Sequence, residues 1–167
     1  GYFTDLMARV YAVDLVTGKQ VWVAKVDDHP NAVGTAQPSY HDGTVFQPVS
    51  SLEVVPAAEP TYECCTFRGS VVALDAATGQ QKWKTYTIEE ELVKTGVNSA
   101  GTTNWGPSGA PIWNSPTVDP KRNRIYAGTG ENYSSPAQGS SDAIIAFDMT
   151  TGKIAWIRQT VSGDAWN

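Results

Sequence analysis

Apolar positions along this chain fall into runs the length of one strand. Val71-Val72-Ala73-Leu74 and Ala143-Ile144-Ile145-Ala146-Phe147 are the longest, far short of the ~18–20 residues of a membrane span. Each run leads into the same pattern. Residues 12–22, 73–83 and 146–156 all obey A-x-D-x-x-T-G-x-x-x-W, five fixed positions in eleven, three times over. The pattern predicts a hairpin. An apolar strand runs into Asp, whose short side chain accepts hydrogen bonds from the following turn. Thr-Gly closes that turn with glycine at positive φ, and a returning strand carries Trp to a fixed face.

A lone hairpin is marginal in water, so repeated units of this kind are expected to pack face to face as propeller blades. Pro38–Tyr40 with Thr44–Val49, and Ile112–Val118 with Arg124–Gly128, read as the companion strands. His41-Asp42-Gly43 and 119–123 read as their turns. The expected architecture is therefore all-β: a single partial propeller over 1–167, with about two and a half four-stranded blades. Closed rings need roughly four to eight blades, so this length is not expected to close one alone.

The Trp-to-Trp intervals are 61 and 73 residues, longer than the ~40–45 of a simple propeller repeat. The surplus is expected as loops at 52–67, 87–111 and 131–141, with 89–94 read as solvated loop in preference to a helical turn. Long loops on a rigid sheet scaffold are where binding groups concentrate.

Composition narrows the partners. Twelve basic against seventeen acidic residues give a net charge of −5, which argues against nucleic acid or an anionic membrane as the main partner. Charged residues are only 17% of the chain, while 15 Gly, 10 Pro and 6 Trp suit a turn-rich β protein. No signal-peptide pattern is visible at residues 1–5, and both ends read as interior sequence.

Several residues stand outside the repeat. Cys64-Cys65 lacks the spacing and further ligands of a zinc or C-x-x-C redox site. Two readings stay open: buried free thiols, or a vicinal disulfide in an oxidising compartment. Trp113 reads as core or as a stacking platform. Glu131 and Asn132 follow Gly128-Thr129-Gly130 at a strand end, where their oxygens suit a hard cation or simply a solvated loop. Asp164 alone would be a turn residue, and His29 and His41 read as structural.

Together these segments resemble the pyrroloquinoline quinone (PQQ) dependent alcohol dehydrogenases, with the polyvinyl alcohol dehydrogenases nearest. The three hairpins correspond to that family's propeller signature. Residues 111–130 run in step with a segment of its cofactor site, and Glu63-Cys64-Cys65-Thr66-Phe67-Arg68-Gly69 is similar to the polyvinyl alcohol dehydrogenase version. The resemblance implies an eight-bladed propeller holding PQQ flat between a Trp, here Trp113, and a vicinal disulfide, here Cys64-Cys65. Thr35 and Ser50 would hydrogen-bond the cofactor, and Arg68 would pair with one of its carboxylates. Glu53 would be a Ca²⁺ ligand and Asp164 the general base.

The family's metal-ligand Asn follows Thr-Gly directly. Glu131 holds that place here and Asn132 comes next, so either could bind. The base element ends in Trp166-Asn167 where the family has Trp-Asp. No C-x-x-C-H haem site is present, so the resemblance implies an external, cytochrome c-like electron acceptor. It also implies a small or polymeric alcohol substrate, a periplasmic or secreted location, and no membrane span. Open blade edges are expected to favour self-association. The rival reading is a non-catalytic repeat module for protein interaction.

Overall fold

The computed structural model describes residues 1–165, so Trp166-Asn167 of the base element lie outside the described residues. Among the described residues there is no α-helix, only strands and one 3-10 turn at Pro56–Ala58. None is a helix long and apolar enough to cross a membrane.

The first blade holds β1 (Tyr2–Thr4), β2 (Arg9–Val13) and β3 (Gln20–Lys25), paired antiparallel in that order. After β4 (Ala32–Val33), the second blade is built from β5 (Ser39–His41), β6 (Thr44–Ser51), β7 (Ser70–Asp75) and β8 (Gln81–Tyr86), with β4 extending the inner end of β6. Then come β9 (Val93–Val97), β10 (Thr103–Gly106) and β11 (Ser108–Gly109). The third blade comprises β12 (Thr117–Asp119), β13 (Arg124–Gly128), β15 (Ala143–Asp148) and β16 (Ile154–Gln159), while β14 (Asn132–Ser134) leaves it to pair with β11. The blades thus carry three, four and four strands, an open partial propeller as expected.

All three repeat turns close by the same bonds. Asp14, Asp75 and Asp148 each accept, at one carboxylate oxygen, the N–H groups two and three residues on and the Thr hydroxyl, at 2.7–3.1 Å. Gly18, Gly79 and Gly152 have φ of +69°, +75° and +76°. A register shift follows the conserved Ala each time, at Ala12/Val13, Ala73/Leu74 and Ala146/Phe147.

The repeat Trp is the pin between blades. Trp22 Nε1 donates to the Ala76 carbonyl at 3.0 Å, and its ring lies on Gly79, where a Cβ would come within 2.8 Å. Trp83 repeats this one blade later, donating to the Met149 carbonyl at 3.1 Å and lying on Gly152. Around these pins, strand alternation sends residues to opposite faces. Val10, Ala12 and Trp22 pack on Val45, Val72 and Leu74, while Phe46, Val71 and Ala73 pack on Ile125, Ala127, Ile145 and Phe147.

Three strand expectations are corrected, the first being 131–141, expected as loop, which holds β14 (Asn132–Ser134). Of the expected 112–118 strand only 117–118 is regular, within β12, because Pro116 lacks a ladder donor and the Ile112 N–H goes instead to the Val49 carbonyl. The 87–111 segment is not plain loop, since β9 and β10 form a hairpin around Asn98–Gly101.

Candidate functional site

At the inner ends of the blades, loop segments hand backbone hydrogen bonds from one to the next. Residues 64–69 lie parallel to 104–109. Trp105 N–H bonds the Cys64 carbonyl at 2.6 Å, Gly109 N–H the Phe67 carbonyl at 2.7 Å, and Gly69 N–H the Gly109 carbonyl at 2.9 Å. Residues 110–111 then pair with 130–131, through Ala110 N–H to Glu131 O and Gly130 N–H to Pro111 O. Asn132 in turn bridges to Ala165. Small residues permit this closeness: a Cβ on Gly69 would collide with the Ala110 carbonyl, and one on Gly109 would meet the Tyr133 backbone N at 2.4 Å.

Glu53 is fully buried. Its Oε1 accepts from Tyr62 Oη at 3.0 Å, Thr66 N–H at 2.9 Å and Thr66 Oγ1 at 3.3 Å, and its Oε2 accepts from Phe67 N–H at 2.9 Å. His29 Nε2 stands 2.8 Å from Thr66 Oγ1 and 3.6 Å from Glu53 Oε1. Burial pushes the Glu53 carboxyl up, but His29 and the N–H groups of Thr66 and Phe67 outweigh it. They hold Glu53 below its usual range and charged at neutral pH. That charge acts on its neighbours: burial and Glu53 push the Tyr62 hydroxyl up to about 12. Burial with the charges of Glu131 and Glu53 also raises buried Tyr133. A carboxylate offers about four lone-pair directions, and Oε2 uses only one of its own.

Asn132 is also fully buried. Its Nδ2 donates to Ser141 Oγ at 2.7 Å and to the Asp164 backbone carbonyl at 3.2 Å. A carbonyl can only accept, so this contact fixes which end of the amide is nitrogen. The Oδ1 at the other end is buried with no donor, as is Asp142 Oδ2 nearby. Burial and the Asp164 charge push the Asp142 carboxyl up. Glu131 is half-buried, and its backbone carbonyl is taken by Ala110.

Trp113 is 53% exposed, which removes the core reading. Its six-membered ring lies against Gly130, where a Cβ would sit 2.2 Å from the ring. Cys64 and Cys65 form the vicinal disulfide across a cis peptide bond. Both cysteines are buried beside Phe67 and Tyr133, and Cys64 alone reaches a cavity of about 410 Å³ shared with Tyr62, Asn98, Asn104 and Ser134. Trp113 is not among the walls of that cavity.

Arg68 donates to the Ile88 and Glu90 carbonyls at 3.4 and 2.9 Å, and its guanidinium lies 4.3 Å from the Tyr86 ring centre. It borders a second cavity, of about 310 Å³, with His29, Thr66 and Lys84. Ser50 is buried opposite Val33, and Thr35 is exposed two residues further along. Asp164 is exposed, held through its backbone by Asn132.

The relay thus strings Glu53, the disulfide with Arg68, Trp113 with Gly130, Asn132 and Asp164 along neighbouring segments. It also enlists residues the sequence reading passed over. Tyr62 and Tyr133 belonged to no motif, Thr66 stood in the Cys64-Cys65 segment without a role, and His29, read as structural, belongs to the Glu53 network.

No group of three or more His, Cys, Asp or Glu side chains suited to a metal ion occurs among the described residues. The features that fit a cation are the spare Oε2 lone pair and the donorless Asn132 Oδ1. The half-open Trp113 indole fits a flat aromatic ligand.

Comparison with known proteins supplies the lineage. Residues 33–167 match the PQQ family described as the glucose/ethanol/alcohol dehydrogenase β-propeller domain. Over 98% of its length the chain is 42% identical to a polyvinylalcohol dehydrogenase of Pseudomonas sp. and 44% identical to one of Sphingopyxis sp. strain 113P3. It spans about a quarter of each, 26% and 25%. The crystal structure of quinohemoprotein alcohol dehydrogenase from Comamonas testosteroni superposes with a TM-score of 0.72 at 25% identity, covering 99% of this chain and 26% of that one. With the Trp-pinned blades already in place, the match makes this chain a member of the PQQ-dependent alcohol dehydrogenase β-propeller family.

Proposed function

We propose that this chain contributes the PQQ- and Ca²⁺-binding blades of a dehydrogenase that oxidises secondary alcohols, polymeric ones such as polyvinyl alcohol included. The observation that carries the reading is the buried, donorless Oδ1 of Asn132 beside the Asp164 segment. A buried acceptor without a donor costs about 1–3 kcal/mol, and a bound cation would relieve that cost. Asn132, in preference to Glu131, is therefore assigned as cation ligand, with Glu53 contributing Oε2 and further oxygens coming from the cofactor.

Trp113 would stack one face of PQQ and the Cys64-Cys65 pair would bound the other. Arg68 would meet a cofactor carboxylate with guanidinium N–H groups left over from its two carbonyl contacts, while Thr35 and Ser50 would donate hydroxyls. Bound there, PQQ and Ca²⁺ would supply the two-electron acceptor and the Lewis acid that draws hydride from the alcohol carbon. Asp164 would accept the alcohol proton as general base, with Asn132 Nδ2 fixing the backbone from which that carboxylate projects. Glu53, held charged by its ring of donors, would keep the cation in place.

The vicinal disulfide supports an oxidising compartment, the periplasm or outside the cell, and electrons would leave to an external cytochrome c-like protein. Equilibrium dialysis tests the reading: the chain should retain PQQ in the presence of Ca²⁺ and lose it with chelator. Retention indifferent to Ca²⁺ would remove the cation from the account, and no retention would favour the non-catalytic interaction module.

A further inference from the structure

Two chains of hydrogen bonds reach Glu53, and both start from Asn31, in the connection between the first and second blades. Asn31 Nδ2 donates to Tyr62 Oη at 3.1 Å, and Tyr62 Oη donates to Glu53 Oε1 at 3.0 Å. On the other side, the Asn31 backbone N–H donates to His29 Nδ1 at 3.2 Å. A ring nitrogen that accepts carries no proton, so the network assigns the imidazole as the neutral Nε2–H tautomer. That N–H faces Thr66 Oγ1, 2.8 Å away. With the hydroxyl oxygen accepting from His29, its own proton goes on to Glu53 Oε1 at 3.3 Å.

Both chains end on the same carboxylate oxygen. Oε1 also takes the Thr66 N–H at 2.9 Å, whereas among the described residues Oε2 takes the Phe67 N–H alone, at 2.9 Å. The segment that starts the chains is itself held in place. Asp27 accepts the His29 backbone N–H at 2.8 Å with one oxygen and Lys84 Nζ at 2.6 Å with the other, which ties residues 27–31 to the second blade. The Asn31 carbonyl accepts the N–H of Leu52, the residue before Glu53, at 2.9 Å. The His29 ring stands edge-on to Phe67, 5.5 Å between ring centres.

We infer that His29 and Asn31 are positioning residues: by loading Oε1 with donors they leave Oε2 as the oxygen that Glu53 presents to a cation. A carboxylate with both oxygens equally free would divide them between the metal and the backbone donors. Here the two roles are set before a metal arrives, by residues that touch neither the metal nor the cofactor. Hydrogen bonds of this kind behind a metal ligand carry about 10–100-fold in metal affinity. The role rests on the PQQ and Ca²⁺ reading given above and extends it to the connection between blades.

Equilibrium dialysis of PQQ across a Ca²⁺ series tests it. His29→Phe keeps a flat ring and removes both nitrogens, and Thr66→Val removes only the hydroxyl. Each should raise the Ca²⁺ concentration for half-maximal PQQ retention about tenfold, and Thr66→Ser should restore it. Asn31→Ala, which cuts the Tyr62 chain, should shift it in the same direction. On a Glu53→Gln background His29→Phe should add nothing, because the carboxylate through which it acts is gone. Nitrogen NMR shifts of the His29 ring in the ligand-free chain should be those of the Nε2–H tautomer. A far-UV spectrum of each variant checks the fold, and Thr66→Val serves should His29→Phe unfold. If the wild-type chain retains PQQ and both variants keep its Ca²⁺ dependence, the positioning role alone is overturned. Losses fully additive with Glu53→Gln, or an Nδ1–H ring, would overturn it equally. A wild-type chain that retains no PQQ at any Ca²⁺ concentration would instead remove the cofactor reading, and the positioning role with it.

Discussion

The seams between blades and the loop relay at their inner ends are held together by opposite means. At the seams, apolar side chains from two sheets interlock around one indole, and among the described residues the polar contact that recurs is its N–H to a turn carbonyl. In the relay, buried polar groups such as Glu53, Asn132 and Ser108 stand beside apolar ones such as Phe67 and Ile112, and backbone bonds between neighbouring segments replace sheet pairing. The seams tolerate repetition because each needs only a Trp, a Gly and alternating apolar residues. The relay repeats nothing, and two of its buried oxygens, on Asn132 and Asp142, lack donors. A fold optimised for stability alone would fill such positions with apolar groups. Gln47 Oε1 and Ser70 Oγ, in the strands of the second blade, share that lack of a partner, so the contrast lies in the seams repeating one apolar interlock while the relay gathers the groups on which the proposed ligand reading rests.

The largest expected effect lies in a seam. Trp83→Ala removes a large part-buried indole and should lower the unfolding free energy by about 3–5 kcal/mol in urea titrations. The same change at half-exposed Trp156 should cost the monomer under about 1 kcal/mol. Equal losses would erase the distinction between filled and open faces.

Next comes the relay. Glu53→Gln puts an amide N–H₂ where protein donors converge, and should cost about 1–3 kcal/mol. The wild-type carboxyl sits below its unfolded value, so its contribution is present above the ordinary carboxylate range and is lost as pH falls through the depressed value. Urea midpoints followed from pH 6 to pH 3 should fall less steeply in the Gln variant.

A smaller effect sharpens the contrast from the site side. Gly130→Ala should displace the Trp113 ring and weaken PQQ retention about tenfold, with less than about 1 kcal/mol lost from stability. Unchanged retention would show that the Gly130–Trp113 contact plays no part in binding. The smallest effect concerns the repeat turns. Thr N–H and hydroxyl groups hold Asp14 and Asp75 below the usual range, and the Thr151 N–H with other bonds does the same for Asp148. Their contribution is present above the unfolded value and fades only as pH drops through the lowered one. Asp75→Asn should therefore remove a share of the acid sensitivity and lower the neutral-pH midpoint slightly, the amide oxygen still accepting the three turn bonds but without the charge.

Seams and relay were not equally legible in the sequence. The repeat turns and the face on which Trp emerges follow from eleven residues, because local chemistry dictates them. Trp113 was ambiguous because a lone Trp reads the same whether a neighbour covers it or not, and its bed, Gly130, is seventeen residues away. The proposed preference for Asn132 over Glu131 rests on hydrogen bonds to Ser141 and Asp164, contacts that exist only after folding. Tyr62 and Thr66 fold back on Glu53 within the 52–67 loop and His29 joins them from a separate segment, so no regular spacing announces the group. The β9–β10 hairpin was missed because Val93, Thr95 and Val97 alternate too weakly to stand out in a Gly- and Thr-rich stretch.

The central claim is that Trp113 is the stacking surface for PQQ. Tryptophan emission, titrated with PQQ in saturating Ca²⁺, tests it most directly when wild type is compared with Trp113→Phe. Saturable, Ca²⁺-dependent quenching that the Phe variant largely loses is the predicted result. Quenching of equal depth and midpoint in both proteins would contradict it.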